Sequence, residues 1–273
     1  MSPDPHIAPR PVEPPPDVDR EQVDAATMTL GEHLGELQRR LKYALAGLAL
    51  TTAGALCFAE PLIRLCERPF QQAMAQTGHQ PQLTMIGVTD AFMTYLRVGL
   101  YAGMILAAPW VFYQLWMFVA TGLYRRERRV VLWSVPFSVV LFLLGASFGV
   151  VVSGPALRFF LAFAGTLGVA PIVTLEAYIS FMTNLLLAFG LVFEVPLVVL
   201  VLAKVGLIRR DMLNRYRRHV IVAMTIIAAL LAPPDALSMI LMVLPMWLLY
   251  ELGAVLAWVL VFRKEQHRDG RTR

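Results

Sequence analysis

The chain has 273 residues, 58% of them hydrophobic and only 16% charged, with a mean hydropathy of +0.62. Soluble domains average nearer half apolar and a quarter charged, so a water-soluble globule is excluded; a single polytopic membrane domain accounts for apolar residues that come in long uninterrupted blocks. The net charge of +5 is concentrated at the ends of those blocks rather than in a stripe, which assigns it to membrane orientation and excludes nucleic acid as a partner.

Residues 1–26 carry seven of the eighteen prolines among scattered charges and almost no large apolar side chains, so they cannot bury a core and are expected to form a disordered cytoplasmic tail. No apolar stretch with a small-residue cleavage site follows a basic start, so no secretory signal peptide is expected. The membrane domain is expected over 27–262, with a basic cytoplasmic tail over 263–273. It opens with Thr29 as N-cap and Glu32 three residues later, a capping box. Leu30, Leu34, Leu37 and Leu41 then form one apolar stripe. This stretch should lie along the cytoplasmic interface before turning into the membrane, with Glu32, His33, Glu36, Arg39 and Arg40 facing away from the stripe.

Six apolar segments follow: Leu41 to Ala59, Phe92 to Ala120, Val130 to Val152, Tyr178 to Ala203, Val220 to Ala232 and Ala236 to Phe262. At about 20 residues per crossing, all but the fifth can span a bilayer. The fifth reaches only about 20 Å at 1.5 Å per residue before Pro233 and Pro234 stop it. The Pro233-Pro234-Asp235 turn should therefore lie below the outer surface, where protein or a wet cavity must surround it. Twenty of the twenty-four Lys and Arg residues fall before the first segment or in its first turn, in the second and fourth connections and in the C-terminal tail. The positive-inside rule then puts both termini in the cytoplasm. The fold expected is all-α, with six transmembrane helices of which the fifth is short.

Acids are rare inside the segments. Glu194 lies close to the middle of the fourth and Glu251 in the sixth. A charged carboxylate at that depth costs about 3 kcal/mol on insertion scales, so each should face protein or water. Pro196, two residues after Glu194, frees a carbonyl one turn earlier and predicts a locally distorted, polar notch. Arg97 is expected to snorkel towards Asp90. Gly99 and Gly103, and Gly145 and Gly149, are small-residue pairs that let helices approach closely. Outside the segments, Glu36 reads most simply as a partner of Arg39 or Arg40, and Glu127 as a partner of its flanking arginines. Cys57 and Cys66 suggest neither a disulfide nor a metal, and His33 with Glu36 lacks further ligands. No P-loop, nucleophile elbow or zinc motif is present, so neither a cofactor nor an enzyme is expected.

Five motifs occur together: His33-Leu34-x-Glu36-Leu37; Ala108-Pro109 with Tyr113-Gln114-x-Trp116-x-Phe118; Leu123-Tyr124-x-x-Glu127-Arg128-Arg129; Phe189-Gly190-x-x-Phe193-Glu194-x-Pro196; and Pro233-Pro234-Asp235. In order and spacing the chain resembles the TatC family, the multispanning receptor subunit of the twin-arginine protein translocase of the cytoplasmic (inner) membrane, from about Thr27 to Phe262. The resemblance implies that Glu36 and Glu127 bind the paired arginines of a signal peptide at the cytoplasmic face, with Phe118, His33 and Leu37 nearby. It implies further that Glu194, with Pro196, Asp235 and Glu251, lies where single-span partner subunits of the TatA/TatB type engage, and that Pro69 belongs to an external cap. Two positions depart from the family pattern: Gln38 where arginine is usual, and Met239 where a polar residue is common.

Arginine presents a planar fork that fits a carboxylate bidentately, which lysine cannot do. A shallow site at the headgroup level, with lipid around it, would strengthen such bonds. Six helices about 10 Å across leave a hole too small for a folded domain, whose radius of gyration is near 13 Å, so the chain is expected to be a receptor and platform, a homo-oligomer within a hetero-complex. The alternative is a small secondary transporter, suggested by proline-broken helices and the midplane acid.

Overall fold

The computed structural model describes residues 30–76, 83–123, 125–168, 172–208, 210–231 and 236–262. The two tails, Thr29 and the Pro233-Pro234-Asp235 turn lie outside the described residues. The elements are α1 (Leu30–Leu56), α2 (Ala59–Gln76), α3 (Asp90–Thr121), α4 (Arg125–Thr166), α5 (Leu175–Val192), α6 (Val195–Lys204), α7 (Arg210–Leu231) and α8 (Ala236–Ala257), with a π-helical last turn at Trp258–Phe262. This is an all-α polytopic membrane protein. Four stretches, in α3, α4, α5 with α6, and α8 with its last turn, are long and apolar enough to cross a bilayer, and a fifth if α1 and α2 are taken as one bent span.

Helix α1 runs unbroken from Leu30 to Leu56, so the expected turn from the interface into the membrane is corrected. No proline interrupts it, and its backbone ladder simply continues. Its orientation also differs from the expected one. Leu34, Leu37 and Leu41 are exposed, as lipid-facing residues are, whereas His33, Glu36 and Arg40 turn inward against α3. An 80° bend after Leu56 then sends α2 off as a separate amphipathic helix.

Helix α4 runs 42 residues to Thr166, past the expected end at Val152. Pro155 does not stop it, because the added turns bury Leu157 and Leu161 in a core shared with Phe70, Ala73 and Met74 of α2 and with Tyr178, Ile179 and Met182 of α5. The connections leading into α3 and α5 are also stapled together: Thr84 N–H donates to Val173 O at 3.2 Å and Thr84 O accepts from Leu175 N at 3.0 Å. Helix α7 begins at Arg210, ten residues before its apolar run, and ends at Leu231, next to the two prolines as expected.

Both small-residue pairs are close helix contacts. A Cβ at Gly145 would stand 2.3 Å from Phe189 O, and one at Gly149 3.0 Å from Leu185 O, so α4 lies directly on the backbone of α5. On the other side, Gly99 and Gly103 admit Leu56 and Thr52 of α1 to α3. At Gly103, Gly145 and Gly149 the obstacles include main chain, which cannot rotate away, so these positions take no side chain; at Gly99 the close neighbour is the Leu56 side chain.

The fourth segment breaks where Glu194 and Pro196 indicate. Phe193 and Glu194 separate α5 from α6, with Phe193 N–H bonding Phe189 O at 3.0 Å and Glu194 N–H bonding Leu191 O at 3.1 Å. Pro196, lacking an N–H, fits the first turn of α6. Gly206, at φ +80°, ends α6 in the left-handed region that glycine takes without strain.

Candidate functional site

Two carboxylates organise the interior. The first is Glu36, on the inward face of α1. Its Oε1 accepts from Arg40 Nε at 2.7 Å, and its Oε2 lies 3.2 Å from an Arg39 guanidinium nitrogen. Arg40 extends further and donates to Gln114 Oε1 at 3.1 Å, and Gln114 is buried on α3. Only 14% of the Glu36 and 15% of the Arg40 side chain is exposed, so their bond is partly desolvated and charge-assisted rather than a solvated surface pair, whereas Arg39 remains 60% exposed. One turn earlier His33 stacks on Phe118, ring centroids 4.5 Å apart and planes 25° from parallel. Gly122, in the α3–α4 turn, lies so close that an added Cβ would be 3.7 Å from His33 Cε1. The N-terminal part of α1, the C-terminal end of α3 and the start of α4 thus share one end of the bundle. Leu37 points outward and is exposed beside this group. Glu127 belongs to the first turn of α4, five residues beyond Gly122; its side chain lies outside the described residues.

The second carboxylate is Glu194, with 7% of its surface exposed. The Ser138 hydroxyl of α4 is its hydrogen-bond partner, and Ser138 in turn accepts from Trp116 Nε1 of α3 at 2.8 Å. Its Oε1 has no hydrogen-bond partner among the described residues. Its neighbours in the chain are apolar, Phe193 and Val195, and Trp116, which reaches it through Ser138, belongs to a buried apolar cluster, a setting in which an unmade bond is costly. The notch predicted at Pro196 is therefore an internal break, closed over by the chain's own helices.

These features match those of known proteins. The family model described as Sec-independent protein translocase protein (TatC) matches residues 32–245. The chain belongs to the TatC family. It is 38% identical over 240 residues to the TatC of Desulforapulum autotrophicum, covering 87% of each chain, and 30% identical over 242 residues to the TatCy of Bacillus subtilis, covering 88% of this chain and 92% of that one. A solved structure titled as a twin arginine translocase receptor, TatC, superposes with a TM-score of 0.75 at 32% identity, covering 84% of this chain and 99% of that one.

For this TatC family member the remaining residues sort as follows. Glu251 is engaged by its own chain: Arg217 of α7 donates to its Oε2 at 3.0 Å, and the neighbouring Tyr250 hydroxyl donates to Leu213 O at 3.2 Å. Helix α7 starts early enough to bring an arginine to Glu251, so this carboxylate faces protein. Pro196 packs under Gly253 of α8, where an added Cβ would lie 2.7 Å from Pro196 Cα. Asp235 lies outside the described residues. Pro69 sits inside α2, where the Tyr178 hydroxyl donates to Cys66 O at 2.6 Å and meets the Phe70 backbone N–H beside the proline. Arg97 pairs with Glu176 at 3.6 Å instead of Asp90, whose carboxylate accepts from Ile86 N and Gly87 N at 3.1 and 2.7 Å. Both cysteines are free.

Gln114 and Trp116 belong to a sequence motif that specifies no contact for either, and Ser138 and Arg217 belong to none. Polar residues placed among apolar ones were the available signal; the partners are on other helices and have no fixed spacing in the chain. Among the described residues no group of three or more metal-ligating side chains converges.

Proposed function

We propose that this protein is the twin-arginine translocase subunit that binds paired-arginine signal peptides at one end of its helix bundle and serves as the platform on which the translocation site is assembled. The observation that carries this reading is the Glu36 carboxylate, partly buried and engaged by guanidinium groups at 2.7 and 3.2 Å: a site that already holds arginine has the geometry and desolvation to recognise it. Glu127, by its backbone position near Gly122, supplies the second carboxylate, and Phe118, His33 and Leu37 offer apolar surface to the peptide's hydrophobic stretch. The solute-transporter alternative is left without support by the family match, and a translocase subunit is not an enzyme.

Six crossings follow if α1 and α7 each span, with α2 and the stapled outer connections forming a cap that includes Pro69. Both termini are then cytoplasmic, at the same side as the Glu36 site, in keeping with the charge distribution of the connections. Glu194 and Pro196, together with Asp235, form the intramembrane contact for single-span partners, which requires the helices over Glu194 to part and present its unpaired oxygen. The copies assemble within a hetero-complex. Photocrosslinkers placed in turn at positions 30–40 and 120–130 test the site: adducts to a twin-arginine precursor that vanish when the pair is changed to lysine are expected. Adducts spread evenly over the outer connections instead would overturn it.

A further inference from the structure

Glu36 is occupied before any substrate arrives. The two guanidinium groups on it are adjacent in the chain, Arg39 and Arg40, so the protein presents to its own glutamate the same paired chemistry that a twin-arginine peptide would bring. Two cations on one anion leave a local excess of positive charge, and a further arginine is repelled unless one of the residents leaves.

The residents are not equivalent. Arg40 is 15% exposed, bonds Oε1 through Nε at 2.7 Å and is anchored at its far end on buried Gln114. Removing it would leave Gln114 Oε1 without its donor inside the helix packing. Arg39 is 60% exposed and reaches the carboxylate through one nitrogen, 3.2 Å from Oε2 and 3.4 Å from Oε1. Its fork is not used bidentately. An exposed ion pair three residues apart on a helix is weak, and its arginine returns to water at little cost. Oε2 is thus the oxygen that can be vacated, and Oε1 the one that is held.

We propose that Arg39 is a tethered competitor for the Glu36 carboxylate, displaced by an arginine of the signal peptide, while Arg40 and Gln114 form the fixed clamp that keeps Glu36 aimed for the exchange. This rests on the twin-arginine reading of the site. It assigns Arg39 a role in specificity. A tethered guanidinium is present at high effective concentration, so an incoming group wins only with a better bond. A bidentate arginine has one, and a lysine ammonium, a point charge on a flexible stem, does not. Specificity arises partly from what the resident excludes.

The experiment uses the full chain in lipid nanodiscs and two synthetic peptides, one with an Arg-Arg pair ahead of an apolar stretch and one with Lys-Lys in its place. Dissociation constants are measured for the unaltered protein, Arg39→Gln, Arg39→Lys and the double variant Glu36→Gln/Arg39→Gln, with thermal melting as a check on folding. Arg39→Gln should tighten the Arg-Arg peptide about two- to five-fold, the span expected for loss of an exposed ion pair. It should tighten the Lys-Lys peptide more, so that the preference for arginine narrows; Arg39→Lys, which keeps the charge, should fall between. Unchanged or weaker Arg-Arg binding in a folded Arg39→Gln protein overturns the competitor role while the underlying reading survives, provided the double variant loses binding. If the double variant binds as well as Arg39→Gln, Glu36 is not the receptor carboxylate and both proposals fall.

Discussion

Glu36 and Glu194 are the same chemical group in opposite conditions. Glu36, at the bundle end, has both oxygens engaged by guanidinium groups, one held and one exposed enough to be exchanged. Glu194, at the helix break, is covered by its own chain and has one oxygen bonded through Ser138 and one left unpaired. A satisfied carboxylate at the rim contributes to stability and can trade partners. An unsatisfied one in an apolar interior does not stabilise the monomer, in keeping with the contact to partner subunits proposed for it.

The largest effect expected comes from disturbing the frame that keeps Glu194 covered. Gly145→Val drives a side chain into the main chain of α5 at Phe189 and Gly190 and should cost about 3 kcal/mol, seen as a lowered melting temperature in detergent and as loss of protection at Glu194. Next is Glu36→Ala, which leaves Arg40 half-buried without its counter-ion and should cost about 2 kcal/mol together with signal-peptide binding. The opposite carboxylate should behave oppositely. Glu194→Leu removes an unmade bond and is expected to change stability by between zero and a gain of about 1 kcal/mol while abolishing crosslinks to single-span partners. A Glu194→Leu protein that melts markedly lower would mean that the group is satisfied in the free chain, and the contrast with Glu36 would disappear. The smallest effect is expected at Glu251→Gln, because its partner Arg217 is 49% exposed; a loss of about 0.5 kcal/mol or less should be measured.

Composition alone identified a membrane protein, and the apolar blocks located the long helices closely: Phe92 to Ala120 became Asp90–Thr121, and Val220 to Ala232 ended within a residue of Leu231. The break beside Glu194 was legible because proline has no N–H to continue the ladder and a carboxylate marks the polar spot. Less legible were ends that depend on packing. Helix α4 overran its apolar block by a dozen or more residues because α2 and α5 bury Leu157 and Leu161, which the block itself does not announce.

For the candidate site the division is similar. Residue type and depth singled out Glu194, since a carboxylate inside a membrane segment is costly, whereas Glu36 and Glu127 read residue by residue as plain ion pairs and, with Phe118, were marked as site residues only by the family resemblance. The sequence also contained the pairing of Glu36 with Arg39 and Arg40, because side chains three and four apart on a helix are neighbours whatever surrounds them. The tertiary structure decided the direction in which that face turns, towards α3 and away from lipid, and so made the pair partly buried. It alone joined Arg40 to Gln114, Trp116 to Ser138 and Arg217 to Glu251. Those contacts link residues 74, 22 and 34 positions apart. Local periodicity carries no information at that range; the packing of helices, close across glycines between α1 and α3, sets which polar groups find one another.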